Sequence, residues 1–151
     1  MHTTSFGGNI YFVLFIDDFS KYGWVYPMKS EAEVFKHFQH FKTMVENESR
    51  AKIQILCTNN GEEYLSNDFK QILASTRIKH QLIAPYTPQQ NGVAERRNRT
   101  TMEMVRCMIK HQQLPHKFWM EGVICATYIL NRCPTLALLP KKQTPYEAWH
   151  D

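Results

Sequence analysis

The chain has 151 residues, 43% of them hydrophobic and 21% charged, a globular composition that excludes collagen-like repetition and wholesale disorder. No apolar run approaches the ~20 residues a membrane helix needs, and the start MHTTSFGG lacks the basic and apolar regions of a secretory signal, so the expectation is an intracellular protein with no membrane association. The net charge of +4 permits nucleic-acid binding without demanding it, which makes the distribution of that charge the deciding feature.

A chain of this length buries roughly 70% of the surface its unfolded form exposes, so residues 1–151 are expected to form one domain around one core. The first signal is IYFVLFIDDFSKYGWVYPM from Ile10, two β-branched and aromatic blocks flanking Asp17, Asp18, Ser20 and Gly23. That pattern predicts a β-hairpin. The period then changes. Val34, Phe38, Phe41 and Val45 recur at helical spacing, and Ser30 followed by Glu33 reads as a capping box, so an amphipathic helix is expected over Glu31 to Glu48 with its phenylalanines in the core.

Lys52 to Thr58 alternates poorly and is expected to be a strand covered on both faces, as in a parallel or mixed sheet. A short helix over Ser66 to Ser75 and a strand over Lys79 to Ile83 follow. In APYTPQQNGVAERRNRT the residues Pro85, Pro88, Asn91 and Gly92 mark an exposed loop before a helix from about Val93 to His111, with Met102, Val105 and Ile109 on one side. A last helix is expected from Pro115 to about Asn131, with Phe118, Val123, Ala126, Ile129 and Leu130 apolar, and Pro134 ends it. The tail, 135–151, is expected to be extended and tethered by Tyr146 and Trp149. Strands and helices mixed in this order imply an α/β layered fold.

The four cysteines, Cys57, Cys107, Cys125 and Cys133, have no C-x-x-C spacing and no histidine at zinc-ligand distance in sequence, so they read as free, mostly buried thiols. His37 and His40, one helical turn apart, stand beside lysines and read as solvated rather than as metal ligands.

Five segments together cover nearly the whole chain from Gly7: YFVLFIDDFSKYGWVY, TNNGEEY, IAPYTPQQNGVAERRNRT, LPHKFWMEGVICATYILNRCPT and TPYEAWHD. In them the sequence resembles the integrase core of retroelements, in its copia-type retrotransposon branch. The resemblance implies an RNase H-like fold, a mixed sheet flanked by helices, and a DDE-type polynucleotidyl transferase that joins DNA ends to a target. It also implies a DNA partner, multimeric assembly within a Pol-derived complex, residence in the nucleus or in cytoplasmic particles, and no small-molecule substrate. In that family a strand ends in Thr-Asp-Asn-Gly and a catalytic Glu follows after 35 residues. The matching positions are Asn59 and Glu95, and residues 60 to 94 number 35.

The implied chemistry uses three carboxylates to hold two Mg²⁺ or Mn²⁺ ions, which activate a water or a 3′-hydroxyl for in-line displacement. Hard cations of this kind prefer charged oxygen ligands. The sequence departs from the family pattern here, because Asn59 offers a neutral carboxamide in place of the second acid and removes one negative charge from the cage. The first acid is expected in a strand upstream of Met1, so the RNase H-like sheet is read as lacking its first strand, and Glu95 is the one catalytic and metal-ligand position that keeps its family residue. The expectation is an inactive site with weak or lost metal binding. Without a central strand the chain is also expected to be less stable than an intact core and prone to aggregate.

Asp17 and Asp18 match a non-catalytic acidic pair of the family and are explained by a hairpin turn. Glu62 and Glu63, three and four residues beyond Asn59, would point elsewhere and read as solvated turn residues. Gln89, Gln90, Asn91, Arg96, Arg97 and Arg99 are the candidate nucleic-acid contacts: the resemblance brings this loop and helix to the DNA ends, and guanidinium groups suit phosphate. Two other readings stand beside this one. The chain is either part of an active integrase whose first acid lies upstream, or a recruited, non-enzymatic module that binds nucleic acid or protein.

Overall fold

The structure is a computed structural model that describes residues 3–83 and 88–151, with the side chains of 88–91 outside the description. It divides into two units, one of Met1–Lys29 with Val93–Asp151 and one of Ser30–Gly92.

In the first unit, β1 (Tyr11–Ile16) and β2 (Gly23–Met28) form the expected hairpin, antiparallel, with Val13 opposite Tyr26 and Ile16 opposite Gly23. Asp17 makes the turn: its Oδ2 accepts from the Ser20 amide and hydroxyl, both at 2.7 Å. Asp18 pairs with Lys21 at 2.8 Å. Both aspartates are therefore explained by the turn, as their side-chain chemistry suggests.

Helix α3 (Pro88–His111) and helix α4 (Trp119–Arg132) supply the rest of this unit's core. Val105, Ile109, Trp119, Met120 and Val123 form one buried cluster, with Phe12, Val25 and Met102 packed on it. Gly122 lets the two helices meet closely, because a Cβ there would lie 3.2 Å from the Val105 Cγ1. The Trp119 indole N–H donates to the Thr3 carbonyl at 2.8 Å, so its burial leaves no orphaned donor.

Two expectations about these helices are corrected. The helix expected from Val93 starts at Pro88, so Gln89, Gln90, Asn91 and Gly92 are helical rather than looped. Proline lacks the N–H that a first helical turn leaves unpaired, and one interior glycine costs only ~1 kcal/mol relative to alanine. Pro115 sits before a 3-10 turn at His116–Phe118, and the α-helix proper begins at Trp119.

The tail, expected to be extended, carries a 3-10 turn at Leu136–Leu138 and helix α5 (Pro145–His150). Thr144 and Glu147 form a full capping box at the start of α5. Their hydrogen bonds hold the Glu147 carboxyl below its ordinary value. Trp149 packs edge-on against Trp24 at 4.8 Å, and Tyr146 and Trp149 both lie near Tyr22. The two aromatic tethers are as the sequence reads.

In the second unit, helix α1 (Val34–Ser49) buries Val34, Phe38, Phe41 and Val45, the stripe read from the sequence. Ser30 does cap, its hydroxyl accepting from the Ala32 amide over a 3-10 turn at Glu31–Glu33 that precedes the α-helix. Helix α2 (Asn67–Ser75) is capped by Ser66, whose hydroxyl accepts from the Phe69 amide. Phe69 is the hub of this core, stacked on Phe38 at 5.1 Å and met edge-on by Phe35 and Tyr64. Full burial of each such ring contributes roughly 1.5–3 kcal/mol.

Strands β3 (Ile55–Thr58) and β4 (Lys79–Leu82) pair in parallel, with Thr58 opposite Leu82. A mixed sheet's two kinds of pairing thus both occur among the described residues, in two separate two-stranded pieces. The strand expected to be covered on both faces is not: Ile55 is 50% exposed and Leu82 45%. In β3 only Thr58 is buried. No disulfide joins the four cysteines, and all four are exposed rather than mostly buried as expected. The two on α3 and α4, Cys107 and Cys125, fall outside the buried stripes of those helices, a matter of helical phase that hydrophobicity alone does not fix.

Candidate functional site

One candidate region, in the second unit, is the end of β3. Asn59 is exposed, and its Oδ1 accepts from the Gly61 amide at 2.9 Å, the local bond by which asparagine makes turns. Gly61 then precedes a 3-10 turn at Glu62–Tyr64. The Glu63 carboxylate folds back over Gly61, where a Cβ would overlap it. Glu62 is exposed.

Beneath this turn lies a pair that sequence reading missed. The Thr58 hydroxyl donates to the Asn59 carbonyl at 2.9 Å and stands 2.7 Å from the His80 Nε2. A hydroxyl has one proton, so the pair is satisfied when the His80 Nε2 carries a hydrogen and donates to Thr58. Burial pushes the His80 pKa down. A lowered folded pKa means that the native state resists protonation, so this contribution is fully present above the unfolded value of ~6.5 and is lost as pH falls through the lower folded value. The expected result is that His80→Gln, whose amide can still donate to Thr58, flattens the acid limb of stability below about pH 6.5. Urea unfolding of the two proteins across that range measures it, and superimposable pH profiles would contradict the assignment.

A separate candidate region, in the first unit, is the exposed face of α3. Glu95, Arg96 and Arg99 are exposed, and the same face continues through Arg106 and Lys110. Arg97 behaves differently: it is half-buried, and its Nη2 donates to the Asn131 Oδ1 at 2.8 Å. Burial pulls its guanidinium below the ordinary value. Asn131 is 3% exposed and also joins β2, its Oδ1 accepting from the Gly23 amide at 2.9 Å and its Nδ2 donating to the Gly23 carbonyl at 2.8 Å. Asn131 therefore ties α3, α4 and the hairpin together through one carboxamide. The sequence holds a trace of it, because Val123, Thr127 and Asn131 fall at four-residue spacing on the buried face of α4. Gln89, Gln90 and Asn91 belong to the first turns of α3, and their side chains lie outside the described residues.

Asn59 belongs to the second unit and Glu95 to the first. The donor set does not make a carboxylate cage. Position 59 supplies a neutral oxygen already engaged by Gly61, and among the described residues no three His, Cys, Asp or Glu side chains are grouped to hold a metal ion.

Residues 1–88 match the integrase core domain family. The chain is 47% identical over 138 residues to the retrovirus-related Pol polyprotein from transposon TNT 1-94 of Nicotiana tabacum, a match that covers 91% of this chain and 10% of that protein. Its fold matches a simian T-cell lymphotropic virus intasome solved in complex with the PP2A regulatory subunit B56 gamma, with a TM-score of 0.74, 20% identity, and coverage of 100% of this chain and 52% of that one. It also matches the HTLV-2 integrase catalytic core domain in complex with magnesium, with a TM-score of 0.66, 22% identity, and coverage of 91% and 82%. The fold is thus that of retroviral integrase catalytic cores, an RNase H-like fold.

The chain belongs to the integrase core domain family. Within it, the relatives are Pol polyproteins of copia-type transposons, of which the chain spans about a tenth of the length.

Proposed function

We propose that this chain is the integrase core of a copia-type Pol polyprotein in which the second metal-ligand position has lost its charge, so that strand transfer is abolished and backbone binding to DNA is what remains. The observation that carries the reading is Asn59: it stands 36 positions before Glu95 in the family register, and its side-chain oxygen closes a local turn. A divalent cation bound by carboxylates supplies charge stabilisation to a phosphoryl oxygen. A carboxamide at one corner reduces both affinity and field. Glu95 keeps its family residue, and metal binding there is weak or lost.

DNA contact in this reading is made by Arg96 and Arg99, with Gln89, Gln90 and Asn91 at the start of the same helix. The Arg97 guanidinium is engaged by Asn131 and serves the scaffold first. Phosphate contacts position DNA without reading its sequence, so binding is weak, non-specific and salt-sensitive. The chain acts within a multimer of Pol-derived proteins, in the nucleus or in cytoplasmic particles.

Replacing Arg96 and Arg99 together by alanine is expected to lower the slope of log affinity against log salt for duplex DNA by about 2, one unit for each lost phosphate contact. Fluorescence anisotropy with a labelled duplex at several salt concentrations measures it. An unchanged slope, or an affinity independent of salt in the unaltered chain, would remove these arginines from the interface.

A further inference from the structure

At the junction of α4 and α5 four planar side chains lie in sequence. The Arg132 guanidinium carbon is 3.7 Å from the Tyr128 ring centre and 4.6 Å from that of Tyr146. The Tyr146 ring stacks in turn on His150, with centres 4.1 Å apart and planes 27° from parallel. The guanidinium thus lies over two aromatic rings at once. Its hydrogen bond is a long one, 3.4 Å, from Nη1 to the Tyr128 carbonyl, and among the described residues no carboxylate pairs with it.

Two features make this more than a tether for the tail. A guanidinium packed on aromatic rings can still donate its N–H groups to an anion, and its rotamers are restricted before any ligand arrives. Tyr128 is also 59% exposed although Arg132 covers one face of its ring, so the other face is open. Ile124, one turn earlier, is 47% exposed beside it. An open aromatic face, an apolar neighbour and a preorganised cation are the parts from which single-stranded nucleic acid sites are built, with stacking for the base and charge for the phosphate. An acidic peptide would satisfy Arg132 and leave the Tyr128 face uncovered.

We propose that the Tyr128–Arg132–Tyr146 stack is a single-strand nucleic acid contact, separate from the arginine face of α3, in which a base stacks on Tyr128 and the adjoining phosphate is bound by Arg132. The proposal does not rest on the state of the Asn59 site.

The test is fluorescence anisotropy of the whole chain with a labelled oligothymidylate. Tyr128→Leu, which keeps apolar bulk without a π face, is expected to weaken binding about tenfold, the effect of one lost base stack. Tyr128→Phe, which keeps the face, is expected to bind as the unaltered chain does. Arg132→Lys keeps the charge but not the plane and is expected to fall between the two. The exposure of Tyr128 makes these substitutions compatible with folding. Combining Arg96→Ala with Arg99→Ala is expected to lower the overall affinity and leave the ratio between the Tyr128 variants unchanged, which separates this contact from the α3 face. Equal binding by the leucine and phenylalanine variants would overturn the proposal. So would displacement of the oligonucleotide by polyglutamate as readily as by unlabelled oligothymidylate, which would make the stack a general anion or acidic-peptide site.

Discussion

Asn59→Asp is expected to raise Mg²⁺- or Mn²⁺-dependent strand transfer by a hundredfold or more in a chain that also carries the upstream acid-bearing segment the family resemblance expects. The magnitude follows from the role of a charged ligand. A bound divalent cation contributes several kcal/mol of transition-state charge stabilisation, and ~1.4 kcal/mol is a factor of ten in rate. The turn should survive the substitution, because an aspartate oxygen can accept from the Gly61 amide as the Asn59 oxygen does at 2.9 Å. The change is therefore one of charge and leaves the local backbone as it is. Gel analysis of oligonucleotide joining checks it, and equal joining by the asparagine and aspartate forms would show that this position does not limit the chemistry.

The second large effect is structural. Asn131→Ala is expected to destabilise the first unit by about 3 kcal/mol or more, because it leaves the Gly23 amide, the Gly23 carbonyl and the Arg97 guanidinium without their shared partner, and each unsatisfied buried group costs roughly 1–3 kcal/mol. For a chain of this size that corresponds to a fall in melting temperature of about 6–12 °C. Asn131→Asp keeps both acceptor bonds, adds an opposite charge beside Arg97 and loses the donation to Gly23, so it should cost less than alanine. Thermal unfolding of the three proteins measures the order. A melting temperature for the alanine form within about 2 °C of the unaltered chain would mean that the carboxamide contributes little.

These two residues also mark what was legible in the sequence and what was not. The hairpin, α1, α2 and the apolar faces of α3 and α4 follow from periodicity, and those patterns are local. The reading of Asn59 rests on a short motif and a count of residues to Glu95, both of which are local to the sequence. Asn131 was not legible, since its partners are 108 and 34 positions away and no local pattern encodes such pairs. His80 escaped for the same reason: its link to Thr58 exists only because β3 and β4 pair in parallel.

The start of α3 was misplaced by a real conflict between signals. Asn91 and Gly92 favour turns, while Pro88 suits a first helical turn, and the long helix behind them outweighed the glycine. Arg97 shows the limit of reading charge from a run. Arg96, Arg97 and Arg99 look equivalent in sequence, yet one of them points inward to Asn131. The Ser30 cap was more dependable, because it acts within two residues of itself, whereas the Thr144 capping box was missed together with α5.

The central claim is that position 59 no longer serves as a metal ligand. Manganese binding, followed by isothermal titration on the asparagine and Asn59→Asp forms of the chain carrying the upstream acid, addresses it without requiring catalysis. The predicted result is specific Mn²⁺ binding by the Asn59→Asp form and binding weaker by a factor of about ten or more for the asparagine form, the loss expected for one charged ligand of a hard cation. Equal affinity for the two forms would contradict the account.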